Sequence, residues 1–374
     1  MTQLYFDHAA TSFPKAPGVA EAAARFLGED AGNAGRGVHR LANRAADALS
    51  HARRALAELI GAPSARLALA PGATFALNAA LQGLLERGDR VVVGPEAHTS
   101  VLRPLRLLGA EVQEVRSDDV LRWDLEHLAQ LLEQPTRLVV VAHGSNVTGA
   151  VQDLAGIAAR CTASGARLLV DGAQTVGALP LDVDALGVDA LAFSGHKGLL
   201  GPTGSGGLYL REGLELRPWI TGGSGSRSHD EAPPAEFPGA LEVGTPNAWA
   251  FATLSPALTW IADQTPAALH ARTAPLAEAL RAGLRALPQV TVFAADQPQD
   301  LPVVSFTVEG WRPQELAVTL DALEVSLRAG LHCAPRAHRR LGTEPDGTLR
   351  ASLGPFLAAD DVAEFLARLR EVLG

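Results

Sequence analysis

The sequence predicts an α/β fold, a mostly parallel sheet covered by helices and followed by a smaller α+β region. Three observations predict it. Short apolar runs recur that are continuous rather than alternating, the mark of strands buried on both faces. Segments with helical apolar spacing separate several of them, as in a sheet built from βαβ units. Beyond a Gly-, Ser- and Pro-rich stretch, Gly222 to Pro246, the texture changes to mixed strands and longer helices.

In order, an apolar helix is expected over Leu77–Leu85 and a strand at Val91–Val93. A helix over Leu125–Leu132 leads to a strand at Leu138–Ala142, and a helix over Leu154–Arg160 leads to Leu168–Val170. Leu191–Phe193 and Gly207–Leu210 complete the sheet. The stretch from Gly222 to Pro246, carrying Asp230 and Glu231, reads as a long irregular loop, and loops of that length are usually functional or disordered. A helix from Trp249 to Ala262 is followed by strands Val290–Phe293 and Val303–Val308, a helix near Pro313–Ala322, a strand at Val325–Leu327 and a final helix, Ala358–Leu373. The domain boundary is expected near 255–265.

Composition narrows the function. With 374 residues, 47% apolar and 20% charged, the chain is neither disordered nor collagen-like. Its net charge of −9 is dispersed, without a basic stripe carrying interleaved aromatics, so nucleic acid is not an expected partner. Apolar runs fall far short of the ~20 residues that span a bilayer, and the opening residues lack the basic and apolar regions of a secretory leader. Two cysteines, Cys161 and Cys333, exclude a disulfide framework and a Cys-built zinc site. A cytoplasmic location is the expectation.

The basic residues are more telling. Of 32, only Lys15 and Lys197 are lysines. Arginine serves at most solvated positions but forms no imine, because a guanidinium stays protonated. Lys15, between Pro14 and Pro17, reads as a surface loop charge, whereas Lys197 sits in the Gly-rich run Ser194 to Gly201. No G-x-G-x-x-G or P-loop pattern accompanies the strands, which counts against a nucleotide-binding domain.

The strand Leu168–Val170 ends in Asp171, and 26 residues later Lys197 follows the strand Leu191–Phe193. Both residues thus reach the carboxyl edge of a parallel sheet, where ligands bind in open α/β folds. Each alone has an ordinary reading: a cap or turn for Asp171, a solvated charge for Lys197. Together they supply what pyridoxal phosphate chemistry needs, a lysine to hold the aldehyde as an imine and a carboxylate to keep the ring nitrogen protonated.

The run Leu191 to Leu210, with Ser194-Gly-His-Lys197, resembles the lysine segment of class V pyridoxal-phosphate enzymes, the cysteine desulfurase and selenocysteine lyase group. The resemblance continues through Tyr5–Ser12, His143–Gly149, Val170–Thr175, Glu242–Asn247, Arg328–Pro335 and Gly347–Gly354, covering essentially the whole chain in order. It implies a fold-type-I pyridoxal-phosphate transferase with a large domain, 15–258, and a small domain made of 1–14 and 259–374.

Residue by residue, the resemblance implies that Lys197 holds the cofactor and that Asp171 pairs with its ring nitrogen. Gln174 and Asn146 would approach the ring hydroxyl, and His98 would lie on the ring and move protons. Ala73, Thr74, Ser194 and His196 would cradle the phosphate, as suits amides and a hydroxyl at a helix N-terminus. Thr245 would reach the phosphate of a neighbouring subunit, making the active unit a homodimer. Arg350 would bind the substrate carboxylate. Cys333 would take sulfur from L-cysteine as a persulfide and leave L-alanine, with His332 favouring its thiolate; a sulfur-acceptor protein would follow. Cys161, inside a helix, reads as a buried inert thiol.

The chain departs from the family pattern at four places. His8 stands where Asn is usual, and Ala97 replaces the Glu before the ring-stacking His, with Glu96 one residue early. Phe75 replaces a Glu after the phosphate-binding Thr, and Leu357-Ala358 replaces an Asn-Thr pair, removing polar support near Arg350. Alternatives stay open: another class V reaction (selenocysteine lysis, transamination or racemisation) in which Cys333 is dispensable, a weak enzyme serving mainly as a sulfur-relay scaffold, or a nucleotide-binding domain.

Overall fold

A computed structural model describes residues 3–35, 37–223, 231–232, 234 and 236–374. The chain opens with β1 (Leu4–Tyr5), α1 (Val19–Arg25), α2 (Arg40–Leu59), β2 (Leu67–Leu69) and α3 (Ala73–Leu84). Next come β3 (Arg90–Val93), α4 (Thr99–Leu108), β4 (Glu111–Glu114), α5 (Leu125–Leu131), β5 (Leu138–Ala142) and α6 (Leu154–Ser164). Then follow β6 (Arg167–Asp171), α7 (Val183–Leu186), β7 (Ala190–Ser194) and β8 (Gly206–Leu210). The remainder is α8 (Ala248–Gln264), α9 (Pro266–Arg285), β9 (Val290–Phe293), β10 (Val303–Val308), α10 (Pro313–Asp321) and β11 (Val325–Ser326). β12 (Arg328–Gly330), α11 (Pro335–Leu341), β13 (Thr348–Ser352) and α12 (Ala359–Leu373) end the chain.

A seven-stranded sheet runs β2-β8-β7-β6-β5-β3-β4. From β7 to β4 every pairing is parallel, and β8 and β2 close one edge antiparallel. Its central strands are buried on both faces, which is why they read as unbroken apolar runs. One face packs with Leu56, Val139, Leu168, Phe193 and Leu254, the other with Leu77, Leu81, Val91, Val140 and Leu169. Strand order reverses beside β3, which pairs β4 on one side and β5 on the other. A crevice opens at the carboxyl ends of the strands at such a switch point.

A four-stranded antiparallel sheet, β12-β13-β10-β9, builds the second core with α9, α10 and α12, around Phe306, Phe365, Leu316 and Leu349. β1 pairs in parallel with β11, so the N-terminal strand lies against the C-terminal part of the chain.

The expected elements form with small changes of end, as caps set them: Asp153 caps α6 through Gly156 N, and Gly165 ends it in the left-handed conformation. The strand expected at Val325–Leu327 is instead two short strands, β11 and β12, that join different sheets. Of the expected loop from Gly222 to Pro246, Ser224–Asp230, Pro233 and Ala235 lie outside the described residues. Among the described residues no helix is long and apolar enough to cross a membrane.

Candidate active site

A cavity of about 230 Å³ lies at the carboxyl edge of the large sheet, at the switch point. β6 delivers Asp171, β7 delivers Ser194 with His196 and Lys197 in the turn that follows, the loop after β3 delivers His98, and the loop after β5 delivers Asn146. Gln174, Ala73, Thr74, Cys333 and Arg350 complete the set. Every residue the sequence nominated for the site lines this one cavity except Thr245, which is exposed ahead of α8.

Asp171 and Lys197 stand on neighbouring strands because Asp171 registers with Ala192 across β6 and β7. Asp171 is buried, and one oxygen accepts from Ala173 N at 3.0 Å. Lys197 donates to no acceptor among the described residues. Burial pushes its amine down to about 8, while Asp171 pulls the other way. A buried amine held there has a substantial neutral, nucleophilic fraction near physiological pH.

At the N-terminus of α3 no side chain caps the helix. Ala73 N instead donates to Ser194 Oγ at 2.9 Å, and the Thr74 and Ser100 hydroxyls meet at 2.8 Å. Gly206 allows this close approach: a Cβ there would lie 2.7 Å from Gly72 Cα. The first-turn amides of α3 and these three hydroxyls together make an anion seat. This seat, together with a buried carboxylate and a half-buried lysine, fits the phosphate, ring nitrogen and aldehyde of pyridoxal phosphate.

His98 caps α4, its Nδ1 accepting from Ser100 N at 3.0 Å. A backbone amide can only donate, so the ring proton of the neutral imidazole sits on Nε2. Burial, the largest cause, lowers its pKa against the pull of Asp171. His196, bonded to Thr11 Oγ1 at 3.1 Å, is pushed down to about 4 by burial and by Lys197 and Lys15. Gln174 donates to Ala9 O at 3.0 Å, and Asn146 donates to His332 O at 2.6 Å.

Arg350 is 2% exposed. Its guanidinium donates to Asp7 Oδ1 at 2.8 Å and to Asn146 O at 3.0 Å, while buried Nε has no partner. The polar support that the change to Leu357-Ala358 seemed to remove is thus supplied by Asp7, a residue the sequence reading passed over. Glu96 is buried on the cavity wall with both oxygens accepting from Trp123 Nε1, and burial raises its pKa to about 8.

Two expectations are corrected. Lys15 is not a free surface charge: it is half-buried, donates to Thr11 Oγ1, Ser12 Oγ and His196 O, and is lowered to about 8 by burial. Both lysines of the chain therefore converge on one turn. His332 does not attend the Cys333 thiol. Its ring points inward to Thr348 Oγ1 at 3.1 Å, and burial with nearby arginine charge holds it neutral. Cys333 itself is exposed to the cavity, whereas Cys161 is buried as expected. Arg328, which no sequence argument singled out, also lines the cavity; it registers with Arg350 across β12 and β13.

The family model described as aminotransferase class-V matches residues 4–365. A probable cysteine desulfurase of Mycolicibacterium paratuberculosis is 34% identical over 99% of this chain, which spans 55% of that protein's length. A probable cysteine desulfurase of Methanothermobacter thermautotrophicus is 32% identical over 99% of this chain and 95% of its own. Among solved structures, the apo cysteine desulfurase of Thermococcus onnurineus NA1 superposes with a TM-score of 0.92 at 30% identity, covering 99% of this chain and 94% of that one. The chain belongs to the class V aminotransferase family and has its fold-type-I architecture, one associated with pyridoxal phosphate.

Proposed function

We propose that this chain is a pyridoxal-phosphate-dependent cysteine desulfurase that converts L-cysteine to L-alanine and receives the sulfur on Cys333. The observation that carries the reading is a thiol, Cys333, sharing one cavity with Lys197, Asp171 and an uncapped helix N-terminus. The desulfurase names of the relatives and of the structural neighbour support it.

Lys197, Asp171, Gln174, Asn146 and His98 would hold the cofactor's aldehyde, ring nitrogen and ring, and Ala73, Thr74, Ser194 and His196 its phosphate. When bound, the cofactor draws electrons from the substrate α-carbon. Lys197 Nζ, once released, takes the α-proton, for which an amine held near 8 is suited. Arg350, which lines the cavity, receives the substrate carboxylate on its guanidinium in competition with Asp7. Cys333 attacks the substrate sulfur as a thiolate: an S–S bond forms, the substrate C–S bond breaks, and the electron pair stays with the carbon, which is protonated to alanine. Overall, L-cysteine and the thiol give L-alanine and a persulfide, which an acceptor thiol then removes. The active unit would be a homodimer in which exposed Thr245 reaches the partner's phosphate seat.

The test is to incubate the cofactor-loaded protein with L-cysteine and a thiol reductant and to quantify alanine and sulfide together. Equal yields support desulfuration, and Cys333→Ala should lose both. Alanine formed at the wild-type rate by that variant would favour another class V reaction.

A further inference from the structure

The loop that presents Cys333 runs from β12 to α11, and two successive non-glycine residues in it, His332 and Cys333, are left-handed, with φ of 47° and 58°. Such conformations persist only where the surroundings over-determine them. Here the backbone is pinned from outside: Thr99 N donates to Cys333 O at 2.8 Å, and Asn146 donates to His332 O. The His332 ring is pinned from within. It is 5% exposed and uses one nitrogen on Thr348 of β13.

Next to it lies His338 of α11, fully buried, whose Nδ1 meets Thr343 Oγ1 at 2.7 Å. The two ring centroids are 5.4 Å apart. Each ring thus spends one nitrogen on a threonine, and the other nitrogen, Nδ1 of His332 and Nε2 of His338, is buried without a partner. A neutral imidazole carries one donor and one acceptor, and an unmet buried polar atom is costly. Both rings are held neutral chiefly by burial. No direct hydrogen bond joins the two rings, but at this ring separation one bridging water would satisfy both nitrogens.

We infer that His338 is a positioning residue for Cys333: through His332 it completes a chain from Thr343 to Thr348 that locks the thiol-bearing loop in its left-handed conformation. The inference rests on the desulfurase reading of Cys333 and deepens it. His338 touches neither substrate nor cofactor, so its loss acts first on the placing of the thiol and reaches amino-acid and cofactor binding only at second hand, through Asn146 on His332 O.

The experiment compares His338→Leu, which keeps bulk and loses both nitrogens, with His338→Gln, which keeps a polar amide, in the full chain loaded with pyridoxal phosphate. His338→Leu should lower kcat for alanine formation about tenfold with KM for L-cysteine and cofactor affinity changed by less than about twofold, and His338→Gln should recover most of the loss. In the cofactor-free chain, amide exchange at residues 331–334 should quicken in His338→Leu. A wild-type kcat in His338→Leu overturns the inference, as does a parallel loss of kcat, KM and cofactor binding in both variants. Should the wild type form no alanine, the desulfurase reading fails by itself; unchanged amide exchange then overturns the loop lock independently. Thr343→Val, which unseats His338 without emptying its site, replaces His338→Leu if the latter does not fold, with the same expected pattern.

Discussion

Asp7 and Arg350 give the sharpest test of how this site is built. Arg350 is 2% exposed and Asp7 has 21% of its side chain exposed, with Oδ1 2.8 Å from the guanidinium. Removing one partner of a buried ion pair costs about 3–5 kcal/mol, because the other charge is left uncompensated. Asp7 is partly solvated, the Asn146 carbonyl still accepts from Arg350, and an amide oxygen can take over the Asp7 contact. For Asp7→Asn the expected loss is therefore about 2 kcal/mol, and for Asp7→Ala about 3. Urea unfolding of the cofactor-free protein, followed by circular dichroism, measures both. The same change strips Arg350 of its competing anion, so Asp7→Asn should also lower KM for L-cysteine, by about fivefold if the freed charge is worth ~1 kcal/mol to a carboxylate. Stability and substrate affinity should move in opposite directions. A variant as stable as the wild type, or one with a raised KM, refutes the reasoning: the first would show the pair to be energetically idle, the second that Asp7 orients Arg350 and does not compete for it.

Lys197→Ala should release pyridoxal phosphate on dialysis while the fold is kept; a retained visible band would point to Lys15, the other amine at this turn. Because burial holds Lys197 at about 8 against 10.5 for a free lysine, covalent capture of pyridoxal phosphate by the cofactor-free protein should rise with a midpoint near 8, and a midpoint near 10.5 would contradict it. The same shift has a stability sign: the unfolded chain binds the extra proton between about 8 and 10.5, so this amine adds stability as pH rises through that window, which Lys197→Met should flatten in urea titrations. Gly206→Ala would place a Cβ 2.3 Å from Phe193 O and 2.7 Å from Gly72 Cα, so it should push α3 from β7 and weaken cofactor retention at least tenfold; unchanged affinity in equilibrium dialysis would show the phosphate seat to be elsewhere.

What was legible in the sequence is what local chemistry writes there. Unbroken apolar runs named the central strands because a sheet covered on both faces selects for them; Asp171 was found because it directly follows such a run, and Lys197 because lysine is rare in this chain and it lies just beyond another. Contacts between distant parts were not legible. Asp7 meets Arg350 across 343 positions, and no spacing rule connects them. Lys15 looked like a loop charge because its partners are two hydroxyls and a carbonyl, which leave no charge pattern. His332 looked like a partner for Cys333 because it adjoins it, yet two left-handed residues in succession turn that ring into the interior. The paired imidazoles of His332 and His338 arise from a turn between strand and helix that periodicity does not encode.

The N-terminal segment has a consequence for how the protein is made. Residues 4–12 supply β1, the Asp7 carboxylate, the Ala9 carbonyl and two hydroxyls on the Lys197 turn, but β11 and Arg350 are made more than 300 residues later. Nascent chains generally fold from the N-terminus onward; here β1 stays without its partner until β11 has been made. The large sheet, complete by residue 210, can form first, while the pocket wall holding Arg350 closes only once β13 has been made. The pocket is thereby completed late in folding, by the meeting of segments that lie more than 300 residues apart.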